Sequence, residues 1–224
     1  MSSATRTKKG RSAAASSSGS NRLVLLLVGI AVVGFIGVVA FLSANETSDV
    51  PSLQDVAGPV QVDGTPIDIP FPEDRGAPDP AVGLPSPRIE ALDYDDASVT
   101  IGGPGRAQVL VFLAHWCPVC DQELPTLRSI VAAGGVPDEV DLVLVTTGLD
   151  PGRPNWPPKR WLDDAGLSGV TTVRDDVGDP LMRSYGLRAY PAWAVLDADG
   201  TVVARRQGLL DAVGVAQLLD LAAR

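Results

Sequence analysis

The sequence is poor in the residues that metal sites and disulfide frameworks need. Its 224 residues include two cysteines, one histidine and two methionines. A disulfide-rich scaffold is therefore excluded, and so is a structural zinc site, which usually takes four Cys or His ligands. His115, Cys117 and Cys120 together supply only three ligands, so copper binding stays a minor alternative. We otherwise predict that the chain holds no metal.

Aromatic residues make up only 5% of the chain, and its net charge is −9. Before residue 43, every charged residue is basic, so the part after residue 42 is more acidic than the whole. An acidic domain is a poor partner for nucleic acid or anionic lipid, because both repel it. We therefore predict no nucleic-acid binding and interpret the charge as a contribution to solubility.

Two segments at the start of the chain predict its location. Residues 1–22 are rich in Ser, Ala and basic residues, which is typical of a disordered tail. Residues 23–42 are an uninterrupted apolar run of the length that spans a bilayer as a helix. Basic residues precede this run, so the positive-inside rule predicts a single-pass cell-membrane protein with a cytoplasmic N-terminus and an extracytoplasmic remainder. A cleaved signal peptide is the alternative, although the run is long for one and no clean A-x-A site follows.

Residues 43–87 hold many of the 19 prolines of the chain. This composition predicts a linker that cannot bury a core. The alternative is that Val60–Ile69 docks on the domain as an extra edge strand. Residues 88–224 are long enough for a sizeable core, and we predict that they form the globular domain.

The apolar pattern of residues 88–224 predicts an α/β fold. Two apolar runs, Gln108–Leu113 and Val140–Thr146, are typical of strands buried on both faces of a sheet. A helix between them, ending near Ala133, implies a parallel crossover. The other predicted elements are a hairpin of Ile89–Leu92 and Ser98–Ile101, a short helix at Lys159–Ala165, a strand at Thr171–Arg174, a helix at Pro180–Tyr185 capped by Asp179, strands at Ala192–Leu196 and Thr201–Gln207, and a final helix at Leu209–Ala223.

Both cysteines lie in one C-x-x-C sequence, directly after a predicted strand and at the first turn of a predicted helix. Backbone amides at a helix N-terminus lack intrahelical partners and stabilise a nearby negative charge. We therefore predict that Cys117 is the nucleophile, as a thiolate, and that Cys120, one turn deeper and more buried, resolves the mixed disulfide. Pro118 suits the first helical turn because it has no N–H. A plain structural disulfide is the alternative, although so short a loop would constrain the unfolded chain little.

Five residues around this pair resemble a known family. Trp116, Cys117, Cys120, Glu123 and Pro125 spell W-C-x-x-C-x-x-E-x-P, which resembles the membrane-anchored, extracytoplasmic thioredoxin-like proteins of the TlpA/ResA type. The resemblance implies a thioredoxin fold, a central mixed sheet flanked by helices, with an N-terminal hairpin and an insertion at residues 150–167. It also implies a protein thiol-disulfide oxidoreductase whose redox-active cysteine pair needs no further cofactor.

The chain departs from that family at two places. The family usually has proline directly before the second cysteine, where this chain has Val119, and the proline here is Pro118. Residues between the cysteines influence the redox potential, so the direction of electron flow stays open. Thioredoxin has a buried carboxylate six residues before the first cysteine, where this chain has Val111. A different base, or water, must therefore deprotonate Cys120.

A second candidate segment is Leu187–Gly200. Pro191, directly before an apolar strand, resembles the cis-proline of thioredoxin-like proteins, and the resemblance places it opposite the Cys117 sulfur. The backbone of Tyr190 would then be free to hydrogen-bond an extended partner chain. An ordinary trans proline at the start of a strand is the alternative. The predicted substrate-binding residues are Trp116, Pro118, Val119, Tyr190 and Pro191.

His115 and Glu123 are the predicted modulators of the site. His115 lies two positions before Cys117, where it would stabilise the thiolate when protonated or relay a proton. The equally weighted alternative is a partly exposed turn residue. Glu123 is expected on the redox helix, facing solvent or the partner, and the resemblance places it near the active site.

The predicted function is that of a membrane-tethered thiol:disulfide oxidoreductase outside the cytoplasm. The resemblance implies that it reduces secreted proteins or apocytochrome c, in cytochrome c biogenesis, with electrons from a membrane thiol carrier. The alternatives are a DsbA-like oxidant, a copper-binding chaperone and a redox-silent tethered adaptor.

Overall fold

The computed structural model describes residues 50–74 and 76–224. The predicted tail and membrane helix, residues 1–42, lie outside the described residues. Within the described ranges, no helix combines the length and the apolar character needed to cross a membrane. Val50–Arg224 form one compact unit.

The elements of this unit agree in order and type with those predicted for residues 88–224. In the described residues they are α1 (Leu53–Val56), β1 (Gln61–Asp63), β2 (Arg88–Leu92), β3 (Ser98–Ile101), β4 (Ala107–Leu113), α2 (Pro118–Ala132), β5 (Val140–Thr146), α3 (Pro158–Asp164), β6 (Thr172–Arg174), α4 (Pro180–Arg183), β7 (Ala192–Leu196), β8 (Val202–Gln207) and α5 (Ala212–Ala222).

Five strands form a mixed sheet in the order β6-β5-β4-β7-β8. β4 pairs in parallel with β5, as the crossover prediction requires, and β5 pairs in parallel with β6. β7 is antiparallel to both β4 and β8. β2 and β3 form the predicted antiparallel hairpin, and β1 adds to it as a third strand.

Every residue of β4 is buried, because each face of the central sheet carries its own apolar layer. Val109 and Val111 pack in one layer with residues of α2, α3 and α5. Leu110 and Phe112 pack in the other layer with β2, β3 and α4. The alternation follows from the two-residue period of a strand, and burial on both faces explains why every residue from Val109 to Leu113 is apolar.

Two predictions about helix ends need correction. Asp179 precedes α4, but its backbone is left-handed (φ 61°) and its carboxylate accepts from Gly148 and Tyr190 instead of capping the helix. Asp175 caps the helix in its place, because its carboxylate accepts from the backbone N–H groups of Leu181 and Met182. The final helix begins at Ala212, later than predicted, and Val213, expected on its apolar face, is 64% exposed.

The linker prediction is wrong for the described part of residues 50–87, which packs onto the domain. Ile67 and Ala81 are buried in the layer that contains Phe112. The alternative of an extra strand is close to what is found, since Gln61–Asp63 pairs with β2. Composition misled the prediction because prolines also occur in extended segments that contribute a few buried side chains at long intervals.

A buried ion pair fixes the described part of residues 50–87, which we call the N-terminal extension, to the sheet. Arg205 on β8 is fully buried and donates to both carboxylate oxygens of Asp79, at 3.0 and 2.6 Å. Its remaining guanidinium nitrogen donates to the carbonyls of Ile69 and Tyr185. Since a buried charge needs a full set of partners, the extension is part of the folded unit.

We predict that Asp79→Asn lowers the free energy of unfolding by about 3–5 kcal/mol, because it leaves the buried Arg205 charge uncompensated. The matched control is Asp141→Asn, which removes a carboxylate from the exposed ion pair with Arg106 and should cost less than about 1 kcal/mol. Urea denaturation of both variants measures the difference. Equal losses would show that the Arg205 contact does not hold the extension in place.

Candidate redox site

The cysteine pair lies where the sequence predicts it. After β4 the chain makes a short turn in which the Cys117 N–H donates to the Ala114 carbonyl at 3.0 Å. Cys117 is the N-cap of α2, with extended backbone angles, and Pro118 is the first helical residue. The Cys117 sulfur therefore stands at the end of the helix where backbone amides favour a negative charge.

The two thiols differ in exposure in the predicted sense. Both cysteines are in the free thiol form, Cys117 with 8% exposure and Cys120 with none. Burial raises the pKa of Cys120 far above its ordinary value, and contact with Cys117 raises it further. Cys120 is thus a protonated, enclosed thiol that needs a base before it can act as a nucleophile.

The cis-proline loop faces this pair. The Tyr190–Pro191 peptide bond is cis, which confirms the prediction from the sequence. The Cys117 thiol donates to the Tyr190 carbonyl, with 3.8 Å between sulfur and oxygen. Gln207 holds the loop from β8 by accepting from the backbone N–H groups of Arg188 and Ala189.

Trp116 and Tyr190 form aromatic walls beside Cys117. Their rings meet edge to face with centroids 5.7 Å apart. The Trp116 indole N–H donates to the Gly148 carbonyl at 2.6 Å, and the Arg153 guanidinium lies 4.4 Å from the centre of the indole ring. The insertion after β5 therefore supports one wall of the site, a contact that the sequence pattern does not reveal.

His115 lies in the turn before Cys117, and the alternative of a partly exposed residue is wrong, while its role as a modulator stays a prediction. It is fully buried, and its Nδ1 lies 2.6 Å from the Pro154 carbonyl. A carbonyl only accepts, so Nδ1 carries the proton, and Nε2 accepts from the Asp150 N–H at 3.4 Å. Burial lowers the pKa of His115, which keeps the ring neutral. The ring thus joins the insertion to the redox turn.

Glu123 was expected to face solvent or the partner, but its side chain is fully buried. One carboxylate oxygen accepts from the Leu210 N–H at 3.1 Å. The other finds no hydrogen-bond partner within the described part of the chain. Burial raises the pKa of Glu123 to about 7. Three residues after Cys120 on α2, it lies on the same helix face, one turn away.

An open groove lies between Val119, which separates the two cysteines in sequence, and the cis-proline loop. It has a volume of about 490 Å³ and is lined in part by Phe71, Val119, Tyr190 and Leu209. Val119 is 37% exposed and Leu209 is 46% exposed, so apolar surface is available to a bound chain. Phe71 belongs to the N-terminal extension, whose contribution to the site the linker prediction missed.

The structure offers little to a resident metal. In residues 50–74 and 76–224, no three His, Cys, Asp or Glu side chains are grouped so that they could hold an ion. Both ring nitrogens of His115 are engaged in hydrogen bonds, so the proposed third copper ligand would have to break them. The copper alternative is therefore disfavoured by the geometry of this turn.

A mixed sheet, a dithiol at the start of a helix and a cis-proline loop beside it define a thioredoxin-like thiol-disulfide protein. The family model described as Redoxin matches residues 77–216. This match covers more than half of the chain, which therefore belongs to the Redoxin family.

Curated relatives and a solved structure agree with this assignment. The methylamine utilization protein MauD of Methylophilus methylotrophus is 31% identical over 130 residues, covering 56% of each chain. MauD of Paracoccus versutus is 36% identical over 127 residues, covering 56% of this chain and 58% of that one. The chain thus spans little more than half the length of these relatives.

A crystal structure described as a thiol:disulfide interchange protein DsbE from Chlorobium tepidum is 21% identical, with a TM-score of 0.52. It covers 64% of this chain and 98% of its own. At this identity the match supports the fold alone. Together with the family match, it confirms the thioredoxin fold and the resemblance to thioredoxin-like thiol-disulfide oxidoreductases.

We predict that Glu123→Gln stabilises the protein at pH 8 and has little effect at pH 5. The folded-state pKa of Glu123, about 7, exceeds the unfolded value of 4.5, so its contribution to stability is complete below pH 4.5 and is lost as pH rises through 7. The gain at pH 8 should reach at most about 3 kcal/mol, at about 1.4 kcal/mol per pKa unit.

Denaturation of both proteins at the two pH values tests this, with exposed Glu139→Gln as the control. A stability difference that is the same at pH 5 and pH 8 would contradict a raised pKa at Glu123.

Proposed function

We propose that the chain is an extracytoplasmic, membrane-tethered thiol:disulfide oxidoreductase that acts through Cys117 and Cys120. The observation that carries the proposal is the placement of the Cys117 sulfur at the N-terminus of α2, against the Tyr190 carbonyl, with Cys120 enclosed beneath it. The tether rests on the apolar run at residues 23–42 and the basic residues before it.

In the first step, the Cys117 thiolate attacks one sulfur of a disulfide in the partner. A bond forms between Cys117 and that sulfur, the partner's S–S bond breaks, and the second partner sulfur leaves as a thiolate and takes up a proton. The N-terminus of α2 favours the attacking thiolate because the positive end of a helix dipole stabilises a negative charge. Trp116 and Tyr190 flank the sulfur and restrict the direction of approach.

In the second step, Cys120 attacks the Cys117 sulfur and releases the partner as its dithiol. Cys120 must lose its proton, and we propose that Glu123, one turn further along the same helix face, is the base. Its raised pKa, about 7, suits proton transfer near neutral pH. This base takes the place of the carboxylate that thioredoxin has where this chain has Val111. The partner gains two electrons, and Cys117 and Cys120 end as a disulfide.

The partner chain binds in the groove beside Cys117. Pro118 and Val119 are exposed next to Cys117, and the Tyr190 carbonyl meets the sulfur, while Pro191, the next residue in sequence, is buried. Phe71 and Leu209 add apolar surface further along the groove. An extended segment with an apolar side chain near its cysteine fits this lining best.

The chain's place in metabolism is also a proposal. The resemblance to the TlpA/ResA type favours a reductase that acts on secreted proteins or apocytochrome c and takes electrons from a membrane thiol carrier. What the chain shares with the methylamine utilization proteins is, in this proposal, the redox chemistry of the domain. A DsbA-like oxidant is the second candidate, supported by Pro118 directly after Cys117.

The reduction potential of the pair separates reductase from oxidant. We predict a value near that of thioredoxin, about −270 mV, in glutathione or dithiothreitol buffers. The fragment Val50–Arg224 is the correct one to measure, since the N-terminal extension packs onto the sheet. A value near −120 mV would make the domain an oxidant and would overturn the reductase proposal.

Trapping identifies which cysteine attacks. We predict that Cys120→Ser accumulates a mixed disulfide with the partner, because the resolving thiol is absent, whereas Cys117→Ser accumulates none. Non-reducing gels followed by mass spectrometry of the captured chain measure this in cells. If Cys117→Ser leaves the cellular phenotype intact, that result would favour the alternative of a redox-silent adaptor.

Cu(I) titration of wild type and His115→Ala tests the alternative of a copper-binding chaperone.

A further inference from the structure

The two aromatic walls of the site are tied to one carboxylate. The Tyr190 hydroxyl donates to Asp179 Oδ2 at 3.1 Å. The Gly148 N–H donates to Asp179 Oδ1 at 2.8 Å, and the Gly148 carbonyl accepts from the Trp116 indole at 2.6 Å. The Trp116 and Tyr190 side chains also touch. The contacts therefore form a closed network of Asp179, Gly148, Trp116 and Tyr190.

This network contacts the residue that carries the reacting thiol at two points. Trp116 is covalently adjacent to Cys117, and the Tyr190 carbonyl accepts from the Cys117 sulfur. Asp179 is therefore connected to both sides of Cys117, through Gly148 to the indole and directly to the tyrosine. A further hydrogen bond, from the Thr147 hydroxyl at 3.1 Å, fixes the carboxylate itself to the end of β5.

The backbone at both anchor residues adopts a conformation that the contacts must maintain. Asp179 is left-handed, with φ 61° and ψ 43°. Such a conformation costs a non-glycine residue about 1 kcal/mol or more, and it persists where surrounding contacts hold it. At Gly148, φ is 61° and a Cβ would lie 2.8 Å from the Tyr190 hydroxyl oxygen. Only glycine allows the tyrosine to reach Asp179 past this position.

We propose that Asp179 is a positioning residue that holds Trp116 and Tyr190 at a fixed separation around Cys117, and so sets how a partner's disulfide approaches the thiol. The role assigned to Asp179 rests on the proposed thiol-disulfide function and adds a determinant of partner binding to it. Asp179 touches neither sulfur, so it acts through the two aromatic side chains. It belongs to the turn before α4, far in sequence from the C-x-x-C.

The network restricts the partner to an extended segment. Cys117 is only 8% exposed and lies beside the two edge-to-face aromatic rings, so we expect a disulfide to enter in line with the groove. Loss of the contacts in this network should weaken the binding of a folded protein substrate, because its approach to Cys117 is no longer guided. The sulfur should at the same time become more open to small reagents, which need no guidance.

The test uses the full chain in detergent with insulin as the disulfide substrate and dithiothreitol as the electron source. Tyr190→Phe removes only the hydroxyl, and Asp179→Asn keeps the size of the side chain and its tolerance of the left-handed backbone. Each should raise KM for insulin about three- to tenfold, the effect of losing one hydrogen bond, while lowering kcat less. The double variant should resemble Tyr190→Phe, because that substitution already removes the contact that Asp179→Asn alters.

Alkylation supplies a readout that is independent of turnover. In a Cys120→Ser background, Cys117 is the one thiol of the chain, and its rate of reaction with iodoacetamide should rise about threefold or more when the Tyr190–Asp179 contact is lost. Asp176→Asn in the same turn and Tyr185→Phe in the opposite apolar layer are the matched controls, and both should behave as the parent chain.

Each result decides between distinct conclusions. Multiplicative effects in the double variant, or single variants that lower thermal stability without moving KM or alkylation, would overturn the positioning role. A parent chain that leaves insulin intact while its Tyr190 and Asp179 variants alkylate faster would refute the proposed function and still support the positioning role.

Discussion

The burial of β4 on both faces is the constraint on which the fold and the site depend. A strand in the middle of the sheet, with apolar layers above and below, has almost no freedom to shift its register, since a shift of one residue would exchange the two faces. The turn after Leu113 and the start of α2 are therefore fixed relative to the sheet. This fixed junction determines where the Cys117 sulfur stands and how deep Cys120 lies.

Around that junction, segments that are distant in sequence supply the remaining contacts. Gly148, just after β5, supports Trp116, and the insertion that follows it contacts His115. The segment after β8 supplies the Leu210 amide that binds Glu123, and the N-terminal extension brings Phe71 to the groove. Each contact is modest in energy, but together they leave few arrangements for the two cysteines. Preorganisation of this kind is what a nucleophile needs in order to react without a costly rearrangement.

Local patterns predicted the parts of this structure that local physics determines. The C-x-x-C after a buried strand and the proline at the first helical position depend on neighbouring residues and were predicted correctly. The cis-proline before β7 was also predicted correctly, but from the family resemblance. Glu123, His115 and Asp179 were misjudged because their partners lie far away in the sequence. Glu123 binds the Leu210 amide, and Asp179 binds Tyr190 from a different loop. No periodicity records such contacts. Proline content likewise concealed the extension, whose buried residues are too widely spaced to form a pattern.

The position of Glu123 also bears on how the proposed reaction controls its protons. Val111 keeps the middle of β4 free of charge, so the strand can be buried, and the carboxylate is carried on α2, one turn from Cys120. Because the pKa of buried Cys120 lies well above that of Glu123, transfer of the proton from the resting thiol to the carboxylate is uphill. The transfer becomes favourable only as Cys120 forms its bond to Cys117 and its sulfur no longer holds a charge. Resolution is therefore coupled to the presence of a mixed disulfide, and the enclosed thiol stays unreactive until a partner is attached.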